Sequence, residues 1–94
     1  MLSILCSIQR AMLGCVTTNL RAVYGNFTPD AYTFSFYYDF PPSKQEEELI
    51  KQAEAKVKTD FYDKKIYFNI LTLPYPKRVP KMGRCVFKRY EESF

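Results

Sequence analysis

Apolar side chains recur at three- and four-residue steps over residues 3–15, where Leu5, Ile8, Met12 and Cys15 form a stripe that Ile4, Ala11 and Leu13 widen. That spacing puts them on one side of an α-helix. Gly14 is available to end it, and Ser7, Gln9 and Arg10 are expected to face water. In "TTNLRAVY", residues 17–24, the period falls to two, with Leu20, Ala22 and Tyr24 opposite Asn19, Arg21 and Val23, the alternation of a half-buried strand. "GNFTPD", residues 25–30, has turn chemistry. Next, Tyr32, Phe34, Phe36, Tyr38 and Phe40 alternate with Ala31, Thr33, Ser35, Tyr37 and Asp39, predicting a second strand that closes a hairpin with the first.

Pro41 and Pro42 stop that strand. Ser43 and Glu46 then have capping-box spacing, in which each side chain satisfies the other residue's backbone N–H at the start of a helix. Leu49, Ile50, Ala53, Val57 and Phe61 give this second helix its apolar stripe, and Glu47 with Lys51 and Glu54 with Lys58 are favourably ordered pairs. "KIYFNILTL", residues 65–73, carries apolar groups on both faces and is therefore expected to be a central strand. Pro74, Pro76 and Pro80 hold the following stretch extended, and Gly83 precedes a last strand, "RCVFKRYE". The order α-β-β-α-β-β predicts an α+β fold: two helices packed on a mainly antiparallel four-stranded sheet, with residues 1–94 as a single domain.

Composition agrees with a packed core, since the 94 residues are 47% hydrophobic and 17% aromatic. Charge is uneven. Of fourteen basic residues, six fall in "PKRVPKMGRCVFKRY", residues 76–90, which leaves eight against ten acidic residues elsewhere. The net charge of +4 is thus a local feature rather than a basic face that follows phosphates. Three cysteines without CxxC spacing and no histidine argue against a disulfide framework, a zinc site or a His-assisted nucleophile. Cys6, Cys15 and Cys85 read as small core residues. The first sixteen residues lack a basic leader and are interrupted by Gln9 and Arg10, so neither an export signal nor a membrane span is expected, and the cytoplasm is the expected compartment.

Candidate chemistry is sparse. Asp60 and Asp63 suit a helix end entering a turn better than a metal or acid–base pair, and the three scattered glycines cannot form a phosphate loop. No enzyme, metal or cofactor is expected. A last strand bearing Arg84, Lys88, Arg89 and Tyr90 suits two roles: an edge whose cations discourage pairing, or a small RNA-binding module. Self-association through Val86 and Phe87 of the same strand is a third possibility.

"RAMLGCVTTNLRAV" at 10–23, "FYYDF" at 36–40 and "YPKRVPKMGRCVFKRYEE" at 75–92 stand in the order of a family pattern: A-x-L-G-x-V/I-T-x-N-L-R-A-V, then F-Y-F-D, then Y-P-x-x-x-P-x-x-G-x-x-V-Y/F-x-R-x-E. The chain resembles small bacterial immunity proteins of contact-dependent growth inhibition systems, of the CdiI type. The resemblance implies a cytoplasmic, non-enzymatic inhibitor that binds the C-terminal domain of a cognate toxin by stoichiometric protein–protein contact. Such toxins are often nucleases, tRNases among them, and some engage elongation factor Tu. The acidic residue that follows the family's Y-P is replaced here by Lys77 and Arg78. Toxin contact is therefore assigned to Asp39, Glu46, Glu47, Glu48 and Glu54, which suit a basic cleft. Lys77, Arg78, Arg84, Lys88, Arg89 and Tyr90 are assigned to a second partner or subunit.

Overall fold

The computed structural model describes residues 2–14, 16–80 and 83–89. Helix α1 spans Leu2–Ala11 and buries Ile4, Ile8 and Ala11, with Met12 adding to the same stripe one residue beyond. Gly14 follows at φ 84°, the left-handed conformation that ends helices and that glycine adopts without strain. Cys15 lies outside the described residues. Three expectations for this helix fail: Leu13, counted in its apolar stripe, is 74% exposed beyond the helix end. Ser7 is buried, because its hydroxyl donates to Asp60 Oδ2 at 2.6 Å on the second helix, and Cys6 is exposed rather than part of the core.

Strand β1 (Leu20–Phe27) pairs antiparallel with β2 (Ala31–Tyr38). The Thr28 hydroxyl accepts from Ala31 N and the Thr28 N–H donates to Ala31 O, closing the hairpin. The turn is thus shorter than "GNFTPD", and β1 runs on to Phe27. Helix α2 (Lys44–Asp60) begins with the expected capping box between Ser43 and Glu46 and buries Ile50, Ala53 and Val57.

Helix α2 reverses the chain, so β3 (Lys65–Thr72) enters the sheet in the same direction as β2 and pairs parallel with it. Strand β4 (Arg84–Lys88) pairs antiparallel with β1 on the other side, giving the order β3-β2-β1-β4. The sheet is mixed, which corrects the mainly antiparallel one expected. Strand β3 is also an edge, not a central strand: its apolar side chains occupy both faces, yet only Ile66 is buried.

Both helices share one core with the sheet face carrying Val23, Phe34, Phe36, Tyr38 and Ile66. Phe34 and Phe36 pack edge-on and stacked, respectively, against Phe68. Phe40, expected on this face, is exposed beyond the end of β2. Since β3 and β4 run in the same direction at opposite edges, the chain must cross the sheet between them. A right-handed crossover in that direction uses the face away from the helices. The connection starts along Arg21 and Asp39, which it meets through Leu73 and Tyr75. Ala22 and Tyr24, which point away from the helices, are buried as well.

Candidate interaction surfaces

The crossover is held down by a cluster of charges. Asp39 continues β2 on the face of Tyr37, and its Oδ1 accepts from Tyr75 N at 2.7 Å. Its Oδ2 lies 2.6 Å from Arg89 Nη2, and Arg21 Nε approaches Oδ1 at 3.9 Å. Arg21 donates to Leu73 O at 2.7 Å and lies over the Tyr75 ring, 5.7 Å from its centroid, while Arg89 donates to Thr18 O at 2.6 Å. A β-bulge between Leu20 and Ala22 interrupts the regular alternation of β1 beside Arg21, whose side chain is only 2% exposed. One carboxylate thus joins the start of β1, the end of β2, the crossover and the residue after β4. Asp39 and Arg89, both assigned above to partner contact, are occupied within the molecule.

Glu46 is occupied as well. Besides accepting from Ser43 N at 3.0 Å, its carboxylate accepts from the Thr17 hydroxyl and from Asn19 Nδ2 at 3.2 Å. Asn19 in turn donates to Phe40 O and accepts from Phe40 N, so the α1–β1 connection, the end of β2 and the start of α2 meet here. Partial burial pushes the Glu46 carboxyl upward, but the hydrogen bonds from Thr17, Ser43 and Asn19 outweigh that and hold it below its ordinary value.

The remaining acidic candidates face outward. Glu47 and Glu48 are exposed in the first turns of α2, where the helix dipole favours anions, and Glu54 forms the expected pair with Lys58 at 3.8 Å. Among the basic candidates, Lys77 and Arg78 are exposed on the crossover, and Arg84 and Lys88 on β4. Lys81 and Tyr90 lie outside the described residues. A second bulge, between Val23 and Tyr24 of β1, breaks the alternation expected along β4 and lets both Val86 and Phe87 pack against the core. Cys85 is exposed, contrary to the core reading. Tyr24, its partner on β1, is buried and meets the Tyr37 ring edge-on, so it offers no open face for a base.

Among the described residues no three His, Cys, Asp or Glu side chains are placed to hold a metal, and no helix is long and apolar enough to cross a membrane. Sequence reasoning missed the apolar outer edge. Tyr67 is 49% exposed, Leu71 42% and Ile70 38%, all on β3. The strand–helix–strand order was the signal, because a helix-spanned return makes β3 parallel to β2 and lets it end the sheet.

The MafI2 immunity protein family model matches residues 1–91, a span that contains both helices, all four strands and the two clusters just described. This chain belongs to the MafI2 immunity protein family. The match replaces the narrower CdiI-type expectation, since Maf is a related but different system. MafI2 membership implies an antitoxin with a cognate toxin as partner, and immunity protein families generally act without catalysis. No curated protein matches the chain.

Proposed function

We propose that this MafI2-family protein neutralises its cognate toxin in the cytoplasm by one-to-one binding, without a cofactor. The observation that carries this reading is the family match over residues 1–91. It is supported by the way the polar clusters are used: Asp39 and Glu46 tie loops and strands together rather than facing an open cleft. The toxin surface is the outer side of α2, where Glu47, Glu48 and Glu54 are accessible. These carboxylates, interleaved with the exposed Lys51 and Lys58, would meet basic groups of a toxin that acts on a phosphate-rich substrate such as tRNA. Lys77, Arg78, Arg84 and Lys88 are exposed away from α2, on the crossover and β4.

Co-expression with the toxin encoded beside the gene tests the proposal. The expected outcome is a stable complex containing equal numbers of the two chains and protection of cells from the toxin. Absence of both would overturn it. Salt-sensitive RNA binding lost on Arg84→Ala and Lys88→Ala substitution, without toxin binding, would favour an RNA module instead.

A further inference from the structure

The two edges of the sheet are built differently. Strand β4 is five residues long, lies beside a bulge and carries Arg84 and Lys88, all features that discourage another strand from pairing. Strand β3 is eight residues long and keeps regular register with β2 throughout. Its one charge, Lys65, is at the start, while Tyr67, Ile70 and Leu71 are exposed. Its outer side pairs with no described strand.

We propose that β3 pairs with β3 of a second copy, antiparallel about a two-fold axis at Asn69, joining two four-stranded sheets into one. The strand itself identifies the occupant, because in this register it is its own complement. On the face away from the helices Tyr67 sits opposite Leu71 of the second copy and Asn69 opposite Asn69, whose amide both donates and accepts. On the helix side Phe68 meets Ile70 and Ile66 meets Thr72. Moving the axis to Phe68 would set Tyr67 against Asn69 and Lys65 against Leu71. An axis at Ile70 would place Asn69 against Leu71. Of these, only the axis at Asn69 matches apolar with apolar and amide with amide on the outer face, and it keeps the two Lys65 charges roughly 26 Å apart at about 3.3 Å per residue. The contact is isologous and closes, so association stops at two chains.

The test is the mass in solution of the full chain and of two double variants, Tyr67→Lys with Leu71→Lys and Tyr67→Glu with Leu71→Glu. Circular dichroism checks that each variant folds; the altered side chains are exposed. The wild type is expected at twice the 11.1 kDa chain mass at high micromolar concentration. Each variant alone is expected at the one-chain mass, because like charges then meet across the pair. Their mixture is expected at the two-chain mass, because in this register position 67 of one chain faces position 71 of the other and every introduced lysine meets a glutamate. A wild type that stays at one-chain mass overturns the proposal; if the lysine variant then also loses the toxin, the edge belongs to the toxin instead. A wild-type dimer that persists in both variants overturns it too, by placing the interface elsewhere.

Discussion

At Asp39, three arginine and backbone donors from segments far apart in sequence converge on one carboxylate. Arg21 is almost fully buried, so removing Asp39 would take from its charge and that of Arg89 a carboxylate that both approach. Asp39→Ala is expected to cost about 3 kcal/mol of stability, measured as a shift in urea unfolding, whereas a surface carboxylate would cost well under about 1 kcal/mol. An unchanged midpoint would show that the cluster contributes nothing. Glu46 supplies a pH effect of known sign. Its folded pKa is below the ordinary value of 4.5, so the stabilisation is present above about pH 4.5 and lost as pH falls through the folded value. Glu46→Gln should lower stability at neutral pH and flatten its dependence below about pH 4.5; parallel wild-type and variant curves would refute this. Both residues were visible in the sequence as acids on the right segments. Their partners were not, because Asp39 to Arg89 and Thr17 to Glu46 are contacts that exist only after the strands pair.

Among the elements, α2 was the most legible, since its capping box, acidic start and apolar stripe are all interactions within a few residues. The β1–β2 hairpin was legible for the same reason. What escaped local reading was the direction and place of β3 and the alternation in β4, which follow from how the chain crosses the sheet and from a bulge. Gly83 illustrates the constraint: at φ 83° a Cβ there would lie 2.2 Å from Gly25 O, where no side chain fits. Gly83→Ala is expected to destabilise by more than about 1 kcal/mol, combining left-handed backbone strain with displacement of β4 from β1. Thermal unfolding measures it, and a variant as stable as the wild type would mean that this approach is not needed.

For the whole molecule, one face of the sheet is closed by the helices, leaving the outer side of α2, the exposed cations of the crossover and β4, and the β3 edge for partners. Exchanging Glu47, Glu48 and Glu54 for lysine is expected to weaken the toxin complex by more than about tenfold and to reduce its association rate most at low salt. Calorimetric titration and stopped-flow binding read these out. Reversing Lys77 and Arg78 to glutamate should leave that affinity within a few fold, and an equal loss from both variants would remove the assignment to α2.

The sequence by itself determined the type and order of the elements among the described residues, the hairpin and the start of α2, because periodicity, caps and turns act between near neighbours. Only the tertiary structure decided which strands are edges, that the sheet is mixed, and that Asp39, Arg89 and Glu46 are internal ties while Glu47 and Glu48 stay open. Those outcomes depend on which face a crossover takes and which charges it brings together, and such pairings between distant residues leave no period in the chain.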